Sequence, residues 1–145
     1  MDVVAEVEVN RPAQEVFDYL ADAENMPRWM KEFTAVEKVG DGPIGQGTEF
    51  RYEAKRGSGA TFSWSDFKPP GLLGWKAQPV KALPGGAIET NGRYDIHEHD
   101  GHTHVVMHMQ PQLHGTAKLL GPLMSRSIRK SSDKYVQLLK RDLEQ

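Results

Sequence analysis

The chain has 145 residues and a formal net charge of −2. That length suits one domain over residues 1–145 with a real core, and the charge supplies no basic field of the kind nucleic acid requires. Zero cysteines exclude disulfides, thiolate metal sites and a cysteine nucleophile, and no apolar run approaches the ~20 residues that cross a bilayer.

The opening MDVVAEVEVN alternates polar and apolar, so Val3, Ala5, Val7 and Val9 mark a half-buried strand rather than a secretion signal. A cytoplasmic location is the corresponding expectation. Pro12 suits the first position of a helix, where a missing N–H costs nothing, and Val16, Phe17 and Leu20 form its apolar stripe. Residues 24–30 read as a second short helix with Pro27 near its start.

From residue 34 the period returns to two. Residues 34–39 read as a strand and 40–47 (GDGPIGQG) as a glycine-rich turn. Residues 48–55 place Phe50, Tyr52 and Ala54 on one face and four charged residues on the other, the pattern of an antiparallel strand wet on one side. Residues 60–66 align Phe62 with Trp64, and residues 72–80 align Leu73, Trp75 and Ala77. Asp100-Gly101 fits a two-residue primed turn. It pairs His99 with His102, Ile96 with Val105, Tyr94 with Met107 and Gly92 with Met109, the last three on one apolar face. A long helix over residues 122–143 closes the chain, with Gly121-Pro122 at its start. Leu120, Met124, Ser127, Ile128, Ser131, Tyr135, Leu138 and Leu139 share its inner side.

A twisted antiparallel sheet curls, and the final helix buries its stripe by lying across the concave face. Ser127 and Ser131 stand where a packed core would place leucine, opposite Phe50, Tyr52, Phe62, Trp64, Trp75 and Tyr94. Large flat side chains around small ones either enclose a cavity with Tyr and Trp tips turned to a guest, or fill the core themselves. Pattern alone leaves both arrangements open.

Nearly the whole chain resembles the START/Bet v1-like helix-grip superfamily, in its polyketide cyclase/dehydrase and lipid-transport branch. The resemblance rests on VEVNRPAQEVFDYLAD at the start, Pro27 to Trp29, the glycine-rich hairpin at 40–48 and the LLKRDLE ending. It implies an α+β fold: about six to seven antiparallel strands wrapped around the long C-terminal helix, with two short helices after strand 1. It also implies a groove between sheet and helix, with its mouth near the second helix. The fold serves carriers, ring cyclases and receptors alike, so it specifies shape more than function.

The expected lining is Trp29, Phe50, Tyr52, Phe62, Trp64, Trp75, Tyr94, Met107, Met124, Ile128 and Ser131. Two functions share it. One is carriage of a small hydrophobic ligand of lipid, polyketide or isoprenoid type. The other is cyclase or dehydrase chemistry, with Asp66 as acid/base on the face of Phe62 and Trp64, and Tyr52 or Tyr94 hydrogen-bonding a carbonyl. A strand-end, solvated Asp66 is the alternative. His97, His99, His102 and His104 fall on one outward face of the last hairpin, so any metal there is adventitious and no cofactor is expected. The 40–48 loop lacks the lysine and following helix of a phosphate loop. The basic face of the last helix reads as solvated, with contact to anionic lipid headgroups as the alternative. The oligomeric expectation is monomer or homodimer, without integral membrane association.

Overall fold

Alternation of buried and exposed residues runs without a break through β1 (Val3–Val9), and its apolar face starts the core. Pro12 caps α1 (Ala13–Ala21) in an extended conformation, and Val16, Phe17 and Leu20 bury as one stripe. A 3-10 turn at Ala23–Asn25 leads into the single-turn α2 (Met26–Trp29). Then come β2 (Phe33–Lys38), β3 (Glu49–Ala54), β4 (Ala60–Lys68), β5 (Leu72–Ala77), β6 (Val80–Lys81), β7 (Gly86–His99) and β8 (His102–Gly115). A 3-10 turn at Thr116–Leu120 precedes α3 (Gly121–Leu143). This computed structural model describes residues 2–56 and 59–145.

All eight strands join one curved antiparallel sheet in the order β1-β8-β7-β5-β4-β3-β2, with β6 also on β7. The helix-grip fold expected from the resemblance is therefore the fold observed. Asp100 and Gly101 both take positive φ, 53° and 80°, as a primed turn demands. The expected pairs follow: His99 with His102, Ile96 with Val105, Tyr94 with Met107 and Gly92 with Met109. The hairpin runs further than its apolar pattern reaches, to Gly86 opposite Gly115. The glycine-rich segment after β2 joins strand to strand, with Gly40 and Gly47 at positive φ and Thr48 Oγ1 accepting from Gly45 N–H at 2.9 Å.

Residues 72–80 do not form one strand. Pro79 has no N–H to place in a ladder, so β5 ends at Ala77 and pairing resumes as β6, with Val80 opposite Ile88. A second departure lies in β4, where pairing steps from Trp64–Trp75 to Asp66–Gly74. Ser65 is the extra residue of a β-bulge, and beyond it the inward side passes to Phe67, which packs edge-on against Phe17 at 5.1 Å.

Gly92 has a packing role at the middle of the sheet. A Cβ there would lie 2.2 Å from the His108 carbonyl oxygen and 2.5 Å from the Trp75 ring. Gly92→Ala must both move backbone in β8 and displace the indole, and is expected to cost at least about 2 kcal/mol in denaturant unfolding. A variant as stable as the parent would mean that Trp75 does not lie over this glycine.

Candidate functional site

The two halves of α3 do different work. All its buried residues, Ser132, Val136, Leu139 and Leu143, lie in the C-terminal half, which packs along β1. That half is fastened at its end. Tyr19 Oη donates to the Asp142 carboxylate, which also pairs with Arg28 at 3.1 Å, so one aspartate holds α1 and α2 to α3. The N-terminal half stands off the sheet. Leu120, Met124, Ile128 and Ser131 roof a groove of about 760 Å³ whose floor is the concave sheet face.

Most expected lining residues meet there: Tyr52, Phe62, Trp64, Trp75, Tyr94, Met124, Ile128 and Ser131. Three do not. Phe50 and Met107 are wholly buried beneath the floor, Phe50 stacked on Phe62 at 5.4 Å and edge-on to Trp64 at 5.7 Å. Trp29 is buried edge-on against Tyr94 at 6.3 Å, filling core behind α2. Its Nε1 is the one fully buried side-chain nitrogen or oxygen without a hydrogen-bond partner among the described residues. That orphan costs roughly 1–3 kcal/mol, less than the ~4–6 kcal/mol from burying an aromatic surface of this size.

Three further differences concern polar groups. Asp66 is exposed and outside the groove, 3.4 Å from Ser65 Oγ, because the bulge turns it away from the face of Phe62 and Trp64. Ser127 is at the exposed lip rather than the centre of the helix's inner side, and the buried serine is Ser132, whose hydroxyl donates to Met109 Sδ at 3.2 Å. The indoles hold their N–H groups elsewhere: Trp64 donates to the Ala21 carbonyl at 3.0 Å and Trp75 to the Thr90 carbonyl at 3.2 Å. They offer a guest ring faces only.

The tyrosines are polar groups of the groove, beside Ser131, Glu32, Arg56 and Lys81. Tyr94 is 3% exposed yet lines the groove, and burial alone raises its phenol well above the ordinary value. Burial raises Tyr52 in the same way. Burial also raises Tyr135, reinforced by the charge of Glu32, and both of these residues line the groove. A phenol held neutral at every ordinary pH donates a hydrogen bond without being a base. Met26, Met30 and Phe33 from the α2 end, Arg56 from the loop after β3, Lys81 of β6, and Met109 of β8 complete the wall. Pattern reading does not single out the α2 and loop residues because α2 is too short to show a period and loop residues show none, while Met109 lies on the apolar face that the hairpin register predicts.

The raised phenol has a consequence for stability. The folded state keeps the Tyr94 proton at a pH where the unfolded chain, with a value of 10.0, has begun to release it. Its contribution is therefore complete below about pH 10 and lost as pH rises beyond that. Tyr94→Phe should make the alkaline limb of a stability–pH curve shallower, and an unchanged slope would show that the hydroxyl reaches water.

On the outer sheet face, His97 opposes His104 and His99 opposes His102, as the register requires. His97, His99 and His102 are exposed, and His104 pairs with Glu6 at 2.9 Å. Among the described residues no three His, Cys, Asp or Glu side chains are grouped to hold a metal. No helix among them is long and apolar enough to cross a membrane.

The family model for polyketide cyclase / dehydrase and lipid transport proteins matches residues 1–144. No curated protein matches the sequence significantly. Solved structures of similar shape include a protein of Thermus thermophilus at 18% identity and TM-score 0.76, covering 99% of this chain and 97% of that one. The Zhui aromatase/cyclase from Streptomyces sp. R1128 aligns at 16% identity and TM-score 0.73, over 99% and 93% of the two chains. A START superfamily protein from Mycobacterium smegmatis aligns at 17% identity and TM-score 0.72, over 99% and 97%. At these identities the likeness is one of fold.

Proposed function

The chain belongs to the polyketide cyclase / dehydrase and lipid transport family, and from that membership we propose that it holds a small hydrophobic molecule of lipid, polyketide or isoprenoid type between its sheet and α3. The observation that carries this reading is the aromatic groove of about 760 Å³. Small-molecule sites range over roughly 300–1,000 Å³ and are mostly apolar with a few placed polar groups. Here the apolar part is Phe62, Trp64, Trp75, Met124 and Ile128, and the placed groups include Tyr52, Tyr94 and Ser131, with Glu32, Arg56 and Lys81 also on the wall. Because the serine and phenol hydroxyls can give or accept a single hydrogen bond, a keto or hydroxyl oxygen suits the site better than a carboxylate buried beside Tyr94.

Trp64 and Trp75 line the groove, so occupancy can be read from tryptophan emission. Titration with a long-chain ketone or prenyl alcohol is expected to give a saturable change at one equivalent. A linear, non-saturating response would contradict a defined site.

Cyclase or dehydrase chemistry in the same groove is the second reading, and the neutral, buried Tyr94 favours it. Such a phenol stabilises an enolate by donating to the oxygen that gains charge. If turnover occurs, Tyr94→Phe should lower kcat by about 10²-fold or more while leaving binding of an apolar probe intact. A kcat within twofold of the parent would remove Tyr94 from the chemistry.

A further inference from the structure

Residues 116–132 join the sheet to the first half of α3 and have two unlike faces. Leu120, Met124 and Ile128 turn into the groove. On the adjoining, outward side Leu119 and Leu123, one turn apart, are 82% and 72% exposed, against 37–44% for the other large apolar side chains at the surface. The same segment carries Lys118, Arg126, Arg129 and Lys130 and no Asp or Glu. Arg126, Lys130 and Lys134 continue from Leu123 along the outer side of α3 at helical spacing, all three exposed, and the exposed Asp133 is the one acid within residues 116–134. None of these five cations forms an ion pair among the described residues, whose Lys and Arg pairs involve Arg11, Arg28, Arg93 and Lys140.

On a chain of net charge −2, an acid-free basic segment is a local reversal of sign. It surrounds two leucines that are largely exposed. Interfacial helices combine these two features: apolar side chains enter the acyl boundary while flanking cations meet headgroup phosphates. We propose that the outer face of residues 116–134, led by Leu119 and Leu123, docks on an anionic phospholipid surface. The Leu120–Met124 edge of the groove then lies against the bilayer. A second copy of the chain is a poorer occupant, because a two-fold contact would set this basic face against itself. The docking goes beyond the groove's cargo and does not depend on it.

Vesicle co-sedimentation tests this directly. The protein is expected to bind vesicles of phosphatidylcholine with phosphatidylserine, to ignore phosphatidylcholine alone, and to release in high salt. Leu119→Ser with Leu123→Ser should weaken binding at least about tenfold, and Arg126→Gln with Lys130→Gln about fivefold per charge removed. None of the four side chains lines the groove, so an apolar probe should still titrate Trp64 and Trp75 in both double variants. Should the probe fail in every form, the groove reading falls while the vesicle result still decides docking. Failure of the parent protein to bind phosphatidylserine vesicles would overturn the proposal, as would binding that survives both double variants. A dimer that depends on Leu119 and Leu123, without vesicle binding, would assign the face to a second copy and overturn it equally.

Discussion

Phe50→Ala is expected to lower unfolding stability by about 3–5 kcal/mol, the largest loss of any single truncation considered. Phe50 has no exposed surface, stacks on Phe62 and meets Trp64 edge-on, outside the groove lining. Its removal leaves a void that neighbours cannot fill, since those rings are held by β4 pairing to β5 and by the Trp64 bond to Ala21. In a chain of this length that corresponds to a fall of the melting temperature on the order of 10 °C. Calorimetry or urea unfolding reads it. A loss under about 1 kcal/mol would show that the floor is loosely packed, and the distinction drawn between core and groove aromatics would fail.

The second large effect is on binding. Ser131 is half-buried, on the half of α3 that roofs the groove, where a leucine side chain would project into open space rather than into packed neighbours. Ser131→Leu is therefore expected to leave the melting temperature within a few degrees while weakening an apolar ligand at least about tenfold, or about 1.4 kcal/mol. Tryptophan-emission titration measures the second quantity and thermal unfolding the first. Unchanged affinity would place the ligand away from the helix. Unfolding would mean the roof is packed rather than open.

The contrast between these two substitutions marks the limit of pattern reading here. Phe50, Tyr52, Phe62 and Trp64 share one face by alternation, and alternation identified all four as inward. It could not separate Phe50, which lies beneath the floor, from the other three, which form its surface, because depth depends on sheet curvature. The β7–β8 register is legible as far as Gly92 and Met109 because turn chemistry and apolar pattern agree at Asp100-Gly101, while its continuation to Gly86 and Gly115 is not. Of the two alternatives for Asp66 the solvated one holds, for a local reason: one extra residue at Ser65 inverts every side chain after it, and nothing in TFSWSDFK marks the insertion. Pro79 did carry a signal for the break between β5 and β6.

The closing helix shows a different kind of limit. Its inner stripe is continuous in sequence from Leu120 to Leu139, yet only the C-terminal half is buried. The half that packs is set by contact with β1 and by the Tyr19–Asp142–Arg28 fastening, neither of which leaves a trace in helical periodicity. The indole N–H groups of Trp64 and Trp75 were likewise expected to face a guest. Their acceptors are backbone carbonyls of Ala21 and Thr90, which only the fold brings near.

Mass spectrometry of the protein purified under native conditions, followed by denaturing extraction, decides whether the groove is occupied. A single apolar compound, bound at one equivalent by the parent chain and depleted in Ser131→Leu, is the predicted result. An extract with no stoichiometric apolar compound, from a protein whose tryptophan emission also fails to saturate with long-chain ketones or prenyl alcohols, would contradict it.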